Sequence, residues 1–115
     1  MEYHLVKIPN LSNSNITVYT LLNIKTGLTL FDDFINEHKV NYTDELKSIV
    51  KRINSFKIVG ARYDYFKHNE GSLSDGVCAL YDSPNSNLRL YCIRYGTSMI
   101  ILGSGGFKSK ATRAL

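Results

Sequence analysis

The 115-residue chain has no tryptophan, only two cysteines and two prolines, and no apolar run of membrane-spanning length. Two cysteines are too few for the disulfide framework of a small secreted domain. Cys78 and Cys92 both lie in apolar, strand-like segments, so we expect buried free thiols. The first four residues lack the charged and apolar regions of a secretory signal, which makes the cytoplasm the expected compartment and a membrane partner unexpected.

Metal-binding and nucleophile motifs are also missing. His4, His38 and His68 are scattered, and the sequence has no His/Cys/Asp cluster at metal-ligand spacing. No serine or cysteine lies in a recognisable nucleophile elbow. We therefore expect no metal and no cofactor.

Carboxylate side chains are absent from residues 83–115, because all ten lie at or before Asp82. The overall charge of +4 is mild, but this local asymmetry attracts phosphates or acidic proteins. Any single cation here can equally serve to solvate a strand face. The unopposed cations are Arg89, Arg94, Lys108, Lys110 and Arg113.

Two amphipathic helices are predicted in the first half of the chain. Thr29 is expected to cap the first helix, with Asp32 and Asp33 in the opening turn, where the helix dipole favours negative charge. Thr43 is expected to cap the second, which has the clearer apolar face. That face comprises Leu46, Ile49, Val50, Ile53 and Phe56.

Strand-like segments surround these helices. Residues 3–8 and 16–22 precede them, and residues 77–82, 88–95 and 99–102 follow as an antiparallel meander. No linker or repeat divides the chain. The order strand, helix, helix and three strands predicts an α+β fold with the helices on one face of the sheet and the other face open.

The second strand of the meander carries the first candidate binding residues. Alternation directs Leu88, Leu90 and Cys92 towards the helices and places Arg89 and Tyr91 on the open face. Arginine can grip a phosphate with two hydrogen bonds, and tyrosine can stack on a base. The alternative is a cation over an aromatic ring on an ordinary solvated sheet.

A glycine-rich run, residues 103–106, follows the last predicted strand. Its exposed amides could cradle an anion, and Lys108 and Lys110 would project together if the strand continued. The run matches neither a Walker loop nor a dinucleotide fingerprint.

The arrangement resembles the RelE/ParE toxin superfamily and, within it, the HigB-like and phage-derived toxin-like proteins. Residues 19–35 (YTLLNIKTGLTLFDDFI) resemble the opening strand, glycine turn and short acidic helix of that family. Residues 76–81 (GVCALY) and 88–93 (LRLYCI) resemble its central hairpin, and residues 100–110 (IILGSGGFKSK) resemble its last strand. The resemblance covers about residues 16–113. It implies a single RelE/HigB-like domain over 1–115, with residues 1–15 as an N-terminal extension.

The resemblance implies the toxin of a type II toxin–antitoxin system, a ribosome-dependent messenger-RNA endonuclease. Its partners would be a cognate antitoxin, the mRNA and the ribosome. The chemistry needs no metal. A base takes the proton of a ribose 2′-OH, which attacks the adjacent phosphate, while cations stabilise the developing charge and an acid protonates the leaving 5′ oxygen.

Matching the family position by position assigns the catalytic groups. Arg89, Lys108 and Lys110 would stabilise the phosphate, and His68 would be the general acid or base because of its intrinsic pKa. Lys67 would substitute for His68 if its pKa were depressed.

RNA binding is expected from Tyr91, Arg94 and Arg113. Arg113 stands where the superfamily commonly has a C-terminal helix, and Tyr91 would stack on a base. Two other functions stay open. One is a non-catalytic toxin-fold module that binds an acidic antitoxin or a nucleic acid, and the other is a ParE-like gyrase inhibitor.

Overall fold

The structure is a computed structural model that describes residues 2–67, 77–81 and 86–107. Two helices and a six-stranded mixed sheet make up this part of the chain, so the fold is α+β as predicted. Short 3₁₀ turns lie at Pro9–Leu11 and Tyr63–Tyr65. The elements are β1 (Tyr3–Lys7), β2 (Thr17–Asn23), α1 (Leu30–His38), α2 (Thr43–Val59), β3 (Phe66–Lys67), β4 (Val77–Leu80), β5 (Leu88–Tyr95) and β6 (Met99–Phe107).

The cap predicted at Thr29 is confirmed. Its Oγ1 accepts a hydrogen bond from the backbone N–H of Asp32 at 3.0 Å, and the Asp32 carboxylate accepts one from the Thr29 N–H at 3.0 Å. This reciprocal pair satisfies two backbone donors that the first turn of a helix would otherwise leave open.

The cap predicted at Thr43 is wrong, because α2 begins one residue earlier, at an N-cap formed by Tyr42. The Thr43 hydroxyl instead donates to the carbonyls of Lys39 and Val40, at 2.6 and 3.3 Å. Those carbonyls belong to the end of α1 and the residue after its cap, where backbone acceptors need partners. The threonine therefore joins the two helices and does not cap the second.

The strands lie in the order β1-β2-β6-β5-β4-β3. The predicted antiparallel meander is confirmed as β4–β5–β6. β2 pairs with β6 in parallel, and a buried hydrogen bond from the Thr20 hydroxyl to the carbonyl of Leu102 (2.8 Å) supports this junction. β1 and β3 extend the sheet at its two edges.

The hydrophobic core lies between the helices and one face of the sheet. Leu88, Leu90 and Cys92 of β5 point into it, as alternation predicts. Burying a side chain of leucine size contributes roughly 1.5–3 kcal/mol, so this layer supplies most of the driving force for folding. The helices contribute Phe31, Phe34, Leu46, Ile49, Ile53 and Phe56, and the other strands contribute Ile16, Val18, Cys78, Leu80, Ile100 and Leu102.

β6 is longer than predicted, since the glycine-rich residues 103–106 belong to the strand. The pairing with β5 shifts between Leu90 and Cys92, which face Gly105 and Leu102, so β6 holds one extra residue there. A Cβ at Gly103 would lie 2.9 Å from the carbonyl oxygen of Tyr91, and one at Gly105 would overlap the ring of Phe34. The glycines therefore permit close packing, and the predicted anion-cradling loop is wrong.

No helix in the described ranges combines the length and apolar character needed to cross a bilayer.

Candidate nucleic-acid interface

Tyr81, directly after β4, lies between two cations. The Nζ of Lys67 is 5.9 Å from the centre of its ring, and the guanidinium carbon of Arg89 is 5.1 Å away. Both distances allow the cations to interact with the electron-rich face of the ring. A short edge strand and a central strand thus bring two of the predicted site residues to one tyrosine.

The strand register places Tyr91 on the same face of the sheet as Lys67. Lys67 is opposite Ala79, and Ala79 is opposite Tyr91, so the three form one row across β3, β4 and β5. Because neighbouring strands lie 4.7–4.9 Å apart, Lys67 and Tyr91 are about 10 Å from each other along this row. We call Lys67, Tyr81, Arg89 and Tyr91 the Tyr81 cluster.

The predicted exposure of Arg89 is wrong. The residue shares a face with Tyr91, but it is only 1% exposed. Its Nη1 donates to the carbonyls of Ser86 and Leu88, both at 2.9 Å, and to the Ser86 hydroxyl at 3.2 Å. The guanidinium therefore stabilises the entry into β5 and is not an exposed fork.

Glu45 holds the same entry segment from the helix side. Its Oε1 accepts from the backbone N–H groups of Asn87 and Leu88 at 2.7 and 2.8 Å, and its Oε2 accepts from the Asn87 amide at 3.2 Å. Hydrogen bonds to a carboxylate are stronger than those between neutral groups. Glu45 and Arg89 thus fasten residues 86–88 from two directions.

Arg94 lies apart from the Tyr81 cluster. It has the same alternation as Leu90 and Cys92, which places it on the helix side of the sheet. Its Nε donates to the carbonyl of Ala61 at 2.6 Å, and its guanidinium lies 5.5 Å from the ring centre of Tyr63. Arg94 thus anchors the segment after α2 to the sheet, which is a structural contact distinct from the predicted RNA-binding role.

Four predicted site residues, His68, Lys108, Lys110 and Arg113, lie outside the described residues. Lys67 and Tyr91 are partly exposed, whereas Ala79 between them is fully buried.

The two thiols form a buried pair beneath the cluster. Cys78 and Cys92 are directly opposite each other in β4 and β5, with their Sγ atoms 3.9 Å apart, and both are free and buried as predicted. The hydrogen bond from Cys92 lowers the pKa of Cys78, an effect that its burial opposes and that the nearby charge of Arg94 supports. Burial raises the pKa of Cys92 well above its usual value.

Sequence reasoning missed three residues of this interface. Tyr81 lies in the predicted strand 77–82, and neither Glu45 nor Ser86 belongs to a motif that indicates a site. Tyr81 is two residues after Ala79, so strand alternation could have placed Tyr81 on the same face as Ala79. Nothing local indicates that Glu45 reaches Asn87 and Leu88, because that contact depends on how α2 packs on the sheet.

His, Cys, Asp and Glu side chains do not gather in threes around any potential metal position in the ranges 2–67, 77–81 and 86–107. No protein-family model, curated protein or solved structure matches the chain.

Proposed function

We propose that the chain binds RNA on the sheet face that carries the Tyr81 cluster and cleaves messenger RNA there, as a RelE/HigB-like toxin. The observation that carries the proposal is the convergence of Lys67 and Arg89 on Tyr81. Two positive charges near the Tyr81 ring, with Tyr91 partly exposed on the same face, suit a phosphodiester and its unstacked bases.

The chemistry is attack of a ribose 2′ oxygen on the adjacent phosphorus. The 2′-OH proton passes to a base, a bond forms between the 2′ oxygen and phosphorus, and the bond from phosphorus to the 5′ oxygen breaks. The 5′ oxygen leaves with a proton from an acid, and a 2′,3′-cyclic phosphate remains. We assign proton transfer to Lys67 and His68, and stabilisation of the phosphate charge to Arg89, Lys108 and Lys110.

RNA is the favoured polyanion because the cluster combines charge with aromatic rings. A purely electrostatic contact to an acidic protein would not require Tyr81 and Tyr91 beside the cations. Tyr91 is partly exposed, whereas Ala79, opposite it in β4, is fully buried. Base stacking on such a ring typically contributes about 1–3 kcal/mol.

The burial of Arg89 favours a second candidate, a non-catalytic RNA-binding module with the same fold. The Arg89 guanidinium donates to three acceptors at the entry of β5. It is therefore less able than an exposed guanidinium to reorient towards the charge that develops on a reacting phosphate. Such a module would bind RNA through the same face and leave it intact.

Primer extension on mRNA after induced expression of the full chain separates the two candidates. The toxin proposal expects new 5′ ends with the wild type, fewer with Lys67→Ala, and unchanged cleavage with Lys25→Ala, an exposed lysine in the turn between β2 and α1. Intact mRNA and normal growth, together with RNA binding in vitro, would replace the toxin with the binding module. Intact mRNA with altered DNA supercoiling would indicate gyrase inhibition instead.

A further inference from the structure

Tyr65 forms a second aromatic platform, on the helix side of the sheet. Its ring stacks against Phe56 of α2, with ring centres 6.1 Å apart and planes inclined by 12°. The guanidinium of Arg52 lies 4.7 Å from the centre of the same ring. Two residues further on, Lys67 reaches Tyr81 on the opposite face, so residues 65–67 connect the two platforms around the β3 edge.

A groove of about 330 Å³ opens beside Tyr65. Four of its lining residues lie on α2 at spacings of three, four and seven from the first, which places them on one stripe of the helix. Its lining residues in the described part of the chain carry two cations, two hydroxyls and one phenol, and none of them is a carboxylate. We call this set the α2 groove: Ser48, Lys51, Arg52, Ser55 and Tyr65.

The cations of the α2 groove have no carboxylate partner within residues 2–67, 77–81 and 86–107. Among the described residues, ion pairs within 4.0 Å are confined to His38 with Glu37 and Arg62 with Asp64. On a helix whose cations serve only solvation, carboxylates three or four residues away commonly balance the charge. Positions 47 and 48 precede Lys51 and Arg52 by four and are a lysine and a serine.

The guanidinium of Arg52 is held in place before any ligand binds. It rests on the Tyr65 ring, and the residue is only partly exposed. A stacked, planar guanidinium loses less freedom when it binds a phosphate than a free side chain does. Lys51 beside it is exposed and adds an adaptable point charge.

We propose that the α2 groove is a second phosphate-binding site for the same single-stranded RNA, which crosses the β3 edge between the groove and the Tyr81 cluster. This inference rests on the proposed RNA-binding function. Tyr65 and Lys67 are two residues apart, about 7 Å in an extended chain, so successive parts of one flexible strand can occupy both sites. A short RNA fills one site, and a longer one fills both.

The test measures binding of labelled single-stranded RNAs of about 4 and about 16 nucleotides to the full chain over a range of salt concentrations. The variants are Lys51→Gln and Arg52→Gln, with Lys25→Gln as the charge-matched control and circular dichroism as the check of folding. For the longer RNA, Lys51→Gln should weaken binding about three- to tenfold and reduce the salt slope by roughly 0.7, the value of one lost phosphate contact on a single strand. For the short RNA, bound at the Tyr81 cluster, it should act no more strongly than Lys25→Gln.

Equal effects of Lys51→Gln and Lys25→Gln on the longer RNA would overturn the second site and leave the proposed function intact. An equal loss for both RNA lengths would also overturn it, since it would indicate a general effect of charge. Failure of the wild type to bind either RNA would refute the proposed function itself. If Arg52→Gln does not fold, the exposed Lys51 variant still decides the question.

Discussion

The ring of Phe34 in α1 lies directly against the backbone of Gly105 in β6, in the space that a Cβ at this position would occupy. This contact holds the first helix close to the sheet. Phe34 is 2% exposed, so the ring has no room to withdraw without opening the core.

We expect Gly105→Ala to lower the free energy of unfolding by about 1–3 kcal/mol, because the new methyl group must displace a buried ring. Gly106→Ala is the matched control, since a Cβ there would meet only the Tyr91 ring edge at 3.9 Å, an ordinary contact. Urea unfolding of both variants measures the difference. Equal stability of the two would show that Phe34 can move aside.

Glu45→Ala should destabilise the chain by about 1–3 kcal/mol, since three donors at the entry of β5 lose their acceptor. Asp44→Ala removes the neighbouring, exposed acid of the same helical turn and should cost less than about 1 kcal/mol. Thermal unfolding followed by circular dichroism compares the pair. If Asp44→Ala costs as much, the helix dipole rather than the contact to β5 explains the role of Glu45.

Removing the Arg89 guanidinium should cost about 2–4 kcal/mol, because Arg89→Met leaves the buried carbonyls of Ser86 and Leu88 without this donor. Arg62 is the control. It is exposed and paired with Asp64 at 3.3 Å, so Arg62→Met should cost less than about 1 kcal/mol. A small loss for Arg89→Met in urea unfolding would contradict the structural role assigned to this residue.

The pKa of Cys92 makes stability depend on pH in the alkaline range. A thiol whose pKa is raised by folding contributes stability below its unfolded value of 9.0, and this contribution is lost as pH rises towards the folded pKa. The lowered pKa of Cys78 acts in the opposite direction. Wild-type stability should therefore fall more steeply above pH 9.0 than that of Cys92→Ala.

Cys78→Ala is the control for this pH dependence, because it leaves Cys92 buried and its pKa raised. Its stability should keep the steep alkaline decline when unfolding is measured in reducing buffer. Parallel pH profiles for the wild type and Cys92→Ala would refute the assignment.

Elements with a strong local signal were predicted well. The acids after Thr29 and the spacing of apolar residues in α2 are signals within short segments, so both helices could be predicted from the sequence. Alternation likewise predicted correctly that Leu88, Leu90 and Cys92 of β5 point into the core. These features need no knowledge of distant contacts.

The wrong predictions share a physical cause: contacts with residues distant in sequence override the preference of the local segment. Residues 103–106 have loop composition, and they form a strand because β5 pairs with them and Phe34 packs on Gly105. Arg89 occupies a position where alternation predicts exposure, and it is buried because Ser86, Leu88 and Tyr81 surround its guanidinium. Of the candidate site, the shared face of Arg89 and Tyr91 was predictable, whereas the meeting of Lys67 with Tyr81 required the strand order.

The parallel junction of β2 and β6 has a consequence for how the chain folds during synthesis. Thr20 and Leu102, which it joins, are 82 residues apart in sequence. Folding is slow because the entropy cost of closing such a long loop comes before the stabilising contacts form. On the ribosome, β2 must wait beside β1 with its inner edge unpaired until almost the whole domain has emerged, and this interval is when a nascent chain is most exposed to mispairing or aggregation.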